Sequence, residues 1–219
     1  MVNVAIDGPA GAGKSTVAKS AAKKLGFIYV DTGALYRTIA LNAIRNNVIN
    51  DNDGIVKMLD NTKVELGFVN DTQVVYLNSE DVSSLIRTPE ISMGASKVSA
   101  IPEVRAFLLD LQRDIAKKNN VIMDGRDIGT VVLPDAKIKI FLFASAECRA
   151  KRRYKELIEK GENVKYEDVL NDVNKRDYQD SHREIAPLKP CEGCFMADTS
   201  LLNLDESIDL IVNTIKENM

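Results

Sequence analysis

The chain has 219 residues, 45% of them hydrophobic and 28% charged, with a net charge of −3. That length suits one α/β domain with small insertions, and the mild acidity argues against a nucleic-acid binder held by global basicity. No run of 18 apolar residues occurs and a strand pattern begins at the N-terminus, so neither a membrane span nor a signal or transit peptide is expected. Three cysteines are an odd set for a disulfide framework, and a cytoplasmic protein is the expectation.

Val2-Asn3-Val4-Ala5-Ile6 reads as a short buried strand. Ser15 to Leu25 reads as a helix, with apolar or small residues at Val17, Ala18, Ala21, Ala22 and Leu25. Between them, Gly8-Pro9-Ala10-Gly11-Ala12-Gly13-Lys14-Ser15 fits the Walker A pattern. A triphosphate is gripped by converging backbone N–H groups, and glycines let the chain wrap that closely. The expected contacts of a nucleoside triphosphate are therefore Gly8, Pro9, Ala10, Gly11, Ala12, Gly13, Lys14, Ser15 and Thr16. Lys14 supplies a point charge to the β and γ phosphates, and the Ser15 hydroxyl is suited to Mg2+. The helix N-terminus adds its dipole to the anion site.

Further along, Phe27 to Val30, Val121 to Met123 and Ile138 to Phe143 read as strands of a parallel sheet with helices between them. Each ends in polar or small residues: Asp31-Thr32-Gly33, Asp124-Gly125-Arg126-Asp127 and Ala144-Ser145. Open parallel sheets bind ligands at the carboxyl ends of their strands, so these tips are expected to converge on the phosphate loop. Residues 62–82 break the rhythm: Thr62 to Val69 alternates, Asn70-Asp71 offers a turn, and Gln73 to Leu77 follows, which predicts an antiparallel hairpin. Residues 147–186 are highly charged, and Cys148 to Lys160 and Tyr166 to His182 read as two helices joined by Gly161-Glu162-Asn163. Cys191-Glu192-Gly193-Cys194 is half a zinc site, a local disulfide or a plain loop, with the loop as default.

A Walker A loop permits a GTPase, an ATPase motor or a small-molecule kinase. The arginines separate them: Arg37 follows the second strand, Arg105 lies on a helix, Arg126 follows a strand tip, and Arg149, Arg152, Arg153, Arg176 and Arg183 lie in the charged segment. A kinase acting on a nucleoside monophosphate must bring two anionic phosphates together, and guanidinium groups offset that repulsion. The acceptor phosphate is itself a nucleophile, so positioning and charge neutralisation suffice without a general base. The single histidine in the chain fits that demand.

The blocks Asp7 to Ser15, Asp31-Thr32-Gly33-Ala34-Leu35-Tyr36-Arg37, Asp124-Gly125-Arg126-Asp127-Ile128-Gly129-Thr130 and Arg176-Asp177 through Arg183 together resemble the bacterial cytidylate kinases, nearly end to end. The resemblance implies an α/β P-loop NTPase three-layer sandwich with a parallel central sheet, a small antiparallel β insert and a helical lid. Its core would span about 1–61, 95–146 and 187–219, the insert that closes over the acceptor nucleoside about 62–94, and the lid about 147–186. It also implies ATP-dependent phosphorylation of CMP and dCMP, assisted by Mg2+, in a monomer. By the same resemblance Thr32 meets the acceptor, Tyr36 and Arg37 flank the CMP base and phosphate, and Arg105 helps hold them. Ser96 with Arg126 and Asp127 reads the cytosine edge and backbone or sugar, Asp180 takes a sugar hydroxyl, and Arg183 lies near the acceptor. Lys14, Arg126, Arg152 and Arg176 form the implied catalytic set, and Asp124 is the Walker B-like partner of Ser15 for the metal.

Three competing readings are weaker. Asn174-Lys175-Arg176-Asp177 spells the guanine-reading NKxD of GTPases, but it lies in a polar helical stretch and not after a buried strand. Arg149, Lys151, Arg152, Arg153 and Lys155 form a basic run suited to nucleic acid, which the acids Glu156, Glu159 and Glu162 offset. A shikimate-type kinase needs neither the hairpin insert nor the arginine-aspartate tip.

Overall fold

The computed structural model describes residues 1–69 and 72–219. The turn expected at Asn70-Asp71 lies outside the described residues. In chain order the first elements are β1 (Asn3–Asp7), α1 (Lys14–Leu25), β2 (Ile28–Asp31), α2 (Thr32–Arg45) and α3 (Asn52–Leu59). There follow β3 (Val64–Val69), β4 (Thr72–Leu77), β5 (Glu80–Asp81), α4 (Pro89–Val98) and α5 (Pro102–Lys118). The remainder comprises β6 (Val121–Gly125), a π-helical turn (Ile128–Val132), β7 (Ile138–Phe143), α6 (Ala146–Glu159), α7 (Tyr166–His182), β8 (Phe195–Asp198) and α8 (Leu204–Glu217).

The chain divides into two compact units, the first Ile28–Val121 with Met1 and the second Val2–Phe27 with Ile122–Met219. In the first unit the expected hairpin forms: β3 and β4 pair antiparallel from Val64 opposite Leu77 to Val69 opposite Thr72. The two-residue β5 adds a third strand that the sequence pattern did not predict. The unit's core gathers Leu35, Ile39, Ile55, Ile86 and Leu108, all fully buried. α2 starts at Thr32 because Asp31, in extended backbone, accepts the Ala34 N–H at 3.0 Å and satisfies an otherwise orphaned donor. Thr88 caps α4 in the same way, with Pro89 at the first helical position.

In the second unit the strands lie in the order β6-β1-β7-β8. β1 runs parallel to β7, with Val4 opposite Ile138 and Asp7 opposite Phe141, and β7 runs parallel to β8. Val4, Ala5, Ile6, Ile122, Met123 and Leu142 have no exposure, the near-continuous apolar pattern of strands covered on both faces. Parallel strands bring their carboxyl ends to one edge, where β1 ends at Asp7, β6 at Gly125 and β7 at Phe143 and the polar tips begin. α8 packs on α1 through a stripe that buries Ile208, Ile211, Val212 and Ile215, and a capping box between Asn203 and Glu206 opens it. Each such side chain contributes roughly 1.5–3 kcal/mol on burial. α6 and α7 are the two charged helices expected; they share a small apolar seam of Ala150, Leu157 and Val169, with Tyr154 edge-on to Tyr166 at 6.1 Å. α6 begins at Ala146 because Ser145 accepts the Cys148 N–H at 3.1 Å. β8 was not anticipated from the sequence.

Among the described residues no helix is long and apolar enough to cross a membrane, and no three His, Cys, Asp or Glu side chains cluster as metal ligands. Cys148, Cys191 and Cys194 are free thiols. Burial, then the neighbouring Cys194, pushes the Cys191 thiol up to about 12, the opposite of a reactive cysteine.

Candidate active site

The phosphate loop leaves β1 and enters α1. Gly8, at φ 150°, has no room for a side chain, because a Cβ there would collide with the Leu142 carbonyl oxygen of the adjacent strand. Gly13 occupies the left-handed region at φ 87°, where a Cβ is penalised. Lys14 is buried at the base of the loop and its ammonium donates to the Pro9 carbonyl at 2.8 Å. Burial pushes Lys14 down to about 7, and Arg126 acts in the same direction, while Asp124, Asp7 and Asp180 oppose the shift. A buried ammonium held among unequal charges is a receptor for additional negative charge. Ser15 and Thr16 open α1 with exposed side chains.

The Ser15 hydroxyl donates to Asp124 Oδ2 at 2.9 Å. A hydroxyl beside one buried carboxylate at a strand tip fits a hard cation that takes one or two protein oxygens and completes its shell with phosphate and water. Both side chains present oxygen donors, the kind of atom Mg2+ takes.

Arginines line the same unit from α6 and α7. Arg152 donates from Nη2 to the Thr199 carbonyl at 2.8 Å, and its Nη1 lies 4.0 Å from where a Cβ on Gly13 would stand. Arg176 is half-buried on α7. Arg149, which sequence reasoning left in an undifferentiated basic run, is buried and makes a two-pronged ion pair with Asp177.

Beyond the tip of β6, two arginine–aspartate pairs link that tip to the end of α7. Arg126 Nε donates to Asp180 at 2.9 Å, and Arg183 stands 3.6 Å from Asp127. Arg183 also donates to the Ala186 carbonyl, and the Leu188 N–H donates to the Asp180 carbonyl at 2.8 Å, which fixes the turn after the helix. The four residues of this unit expected at the acceptor, Arg126, Asp127, Asp180 and Arg183, thus fall in these two pairs.

Asp7 opens the first motif block, and the sequence reading assigns it no role. Asp7, 3% exposed, accepts the N–H groups of Ile128 and Gly129, both at 2.7 Å, and so holds the π-helical turn that follows Asp127. Burial raises Asp7 to about 6 even though the two N–H bonds favour the carboxylate. An acid closing an apolar strand at the first glycine was the available signal; its partners 121 and 122 residues away were not readable.

In the first unit, Thr32 is buried at the start of α2, and Tyr36 and Arg37 follow one turn later. Arg37 Nη2 donates to Asp31 at 2.7 Å, while its buried Nε–H has no hydrogen-bond partner among the described residues. The Arg105 guanidinium lies 5.8 Å from the Tyr36 ring centre, a cation–π distance, and donates to the Ser99 carbonyl at 3.2 Å. Ser99 Oγ in turn donates to the Ser96 carbonyl at 2.9 Å, which ties Ser96 to Arg105 through one residue.

Comparison with known proteins follows the same line. The profile of the family described as cytidylate kinase matches residues 4–217. The cytidylate kinase of Carboxydothermus hydrogenoformans is 50% identical over 215 residues, covering 98% of this chain and 97% of that protein. The cytidylate kinase of Caldanaerobacter subterraneus subsp. tengcongensis is 52% identical over 218 residues, covering 99% of this chain and 96% of its own length. In fold, a shikimate kinase structure from Bacteroides thetaiotaomicron aligns over 98% of each chain with a TM-score of 0.50 at 12% identity. With a phosphate loop, a hydroxyl–carboxylate pair, converging arginines and matches of this extent, the chain belongs to the cytidylate kinase family.

Proposed function

We propose that the protein transfers the γ-phosphoryl group of ATP to CMP and to dCMP, giving ADP with CDP or dCDP, by direct in-line displacement. An oxygen of the acceptor phosphate forms a bond to the γ-phosphorus as the bond to the β,γ-bridging oxygen breaks, and ADP leaves with that electron pair. The acceptor's second pKa is near 6, so its oxygen is a nucleophile at neutral pH without a base. Lys14 holds the β and γ phosphates, with the loop Gly8 to Gly13 supplying N–H donors. Arg126, Arg152 and Arg176 neutralise charge that spreads over the transferring group; removing one such arginine commonly costs on the order of 10³-fold in rate. Ser15 and Asp124 are the residues that would hold Mg2+, which when bound neutralises phosphate charge and orients the oxygens it touches.

For the acceptor, we assign Thr32, Tyr36, Arg37, Ser96 and Arg105 of the first unit and Arg126, Asp127, Asp180 and Arg183 of the second. The unsatisfied Arg37 Nε–H supports an anion there. Cytosine presents an N4 donor beside acceptors, which a mixed Ser, Arg and Asp set complements while pocket size rejects purines. The segment of about 62–94 is the one we assign to closing over the nucleoside, and about 147–186 to closing over the phosphates and excluding water.

The observation that carries the reading is the buried Lys14 ammonium in a loop whose next residue, Ser15, already bonds Asp124. The test is a coupled ADP-release assay at fixed ATP and Mg2+ with CMP, dCMP, UMP, AMP, GMP and shikimate offered in turn. Strongest turnover with CMP and dCMP is expected. Turnover with none of them, together with tight GTP binding, overturns it.

A further inference from the structure

The Arg149 side chain makes four hydrogen bonds to other described residues. Nε donates to the Ala144 carbonyl at 2.9 Å, at the end of β7. Nη1 donates to the Ala10 carbonyl at 3.0 Å, at the crest of the phosphate loop, and to Asp177 Oδ1 at 2.9 Å. Nη2 donates to Asp177 Oδ2 at 2.5 Å. The guanidinium side chain is 4% exposed and the Asp177 side chain 30% exposed. A lysine at this position offers one point of charge, whereas the planar fork reaches three partners in fixed directions.

We propose that Arg149, pinned by Asp177, is a positioning residue for phosphoryl transfer: it aims the phosphate loop and ties α7 to it. A trans peptide is planar, with its C=O and N–H pointing opposite ways. Holding the Ala10 carbonyl against Arg149 therefore turns the Gly11 N–H in the opposite direction, and fixes one donor of the loop before any triphosphate binds. Such preorganisation is what electrostatic catalysis needs. Asp177 also lies between Arg176 and Asp180 on α7, so the pair sets the height of that helix relative to the loop. The pair, with Arg149 buried and Asp177 half-buried, has no need to add net stability, since desolvation offsets much of its Coulomb attraction. Its geometry is its contribution.

This inference rests on the proposed ATP-dependent reaction, and the experiment separates the two. Wild-type protein, Asp177→Asn and Arg149→Lys are compared for kcat, KM for ATP, KM for CMP, and equilibrium affinity for ATP by calorimetry without any acceptor. Asp177→Asn keeps the shape and loses the charge, and so remains informative if Arg149→Lys fails to fold. The expected result is a fall in kcat of roughly 10- to 100-fold and a weaker ATP affinity by about 10-fold, with KM for CMP rising less than the ATP dissociation constant because the acceptor residues on α7 move only through that helix. The double variant should be no worse than the more severe single one, the signature of residues acting as a unit. If folded Asp177→Asn keeps ATP affinity and kcat within twofold of wild type, the inference is wrong. A loss of kcat that only tracks the folded fraction, with ATP affinity per folded molecule unchanged, overturns it equally. Absence of turnover in the wild type, with ATP binding still weakened in the variants, would instead overturn the proposed reaction and leave the loop-aiming role standing.

Discussion

Two buried groups of opposite sign stand near the phosphate loop and respond to pH in opposite senses. Lys14 falls from 10.5 to about 7 in the folded protein. Between those values the unfolded chain binds the extra proton, so stability from this group rises with pH through that window, and its full penalty is present below 7. Lys14→Met removes the buried ammonium at similar volume. It should raise Tm by several degrees at pH 6–7, with the gain shrinking toward pH 10.5, while turnover falls by on the order of 10³-fold. Thermal melts across pH, paired with the ADP-release assay, check both halves. Asp7 rises from 3.8 to about 6. Its contribution to stability is fully present below 3.8 and is lost as pH climbs through about 6. Function runs the other way, since the hydroxyl oxygen of a protonated carboxyl is a much poorer acceptor, which weakens one of the two N–H bonds that hold the turn after Asp127. Asp7→Asn mimics that protonated form. Its activity should be several-fold below wild type at pH 8 and should converge with it below pH 6, measured as a ratio so that titration of CMP cancels.

At the scale of elements, backbone constraints decide which changes are tolerated. Gly8→Ala places a methyl group on the Leu142 carbonyl and in a left-handed conformation. The expected cost exceeds about 1 kcal/mol, read as lost Tm, and ATP binding should fall with it. Asn203→Ala removes the cap of α8 and should cost about 1 kcal/mol while leaving kcat unchanged, because that helix end carries no predicted site residue. The strand–loop–helix unit was legible in the sequence because its chemistry is local: glycines, a lysine and a serine in eight consecutive positions. The hairpin was legible for the same reason, since alternation over β3 and β4 is a property of each strand alone. β8 was not, because four residues of Phe-Met-Ala-Asp acquire strand character only by pairing with β7. Likewise the sequence offered Arg149, Lys151, Arg152, Arg153 and Lys155 as equals. Only the fold distinguishes Arg149, buried against Asp177, from Arg153, exposed beside Glu156.

For the molecule as a whole, the predicted site residues divide between two units that should leave separate kinetic signatures. Arg37→Ala, in the first unit, removes the guanidinium whose Nε–H lacks a partner. It should raise KM for CMP at least 10-fold with ATP affinity within twofold, as expected of a lost charge-assisted bond to one substrate. The two arginine–aspartate pairs at the β6 tip carry a different consequence. Arg126 pairs with Asp180 and Arg183 stands beside Asp127, so on the acceptor assignment proposed above an arriving phosphate competes with these carboxylates for guanidinium. Only a dianion outcompetes a carboxylate for the same fork, and a bare hydroxyl does not. Cytidine, which has every base and sugar contact of CMP and no phosphate, should therefore leave turnover of CMP untouched even at millimolar excess. On that assignment the resting pairs would make the acceptor's charge, rather than its base or sugar, the condition for entry.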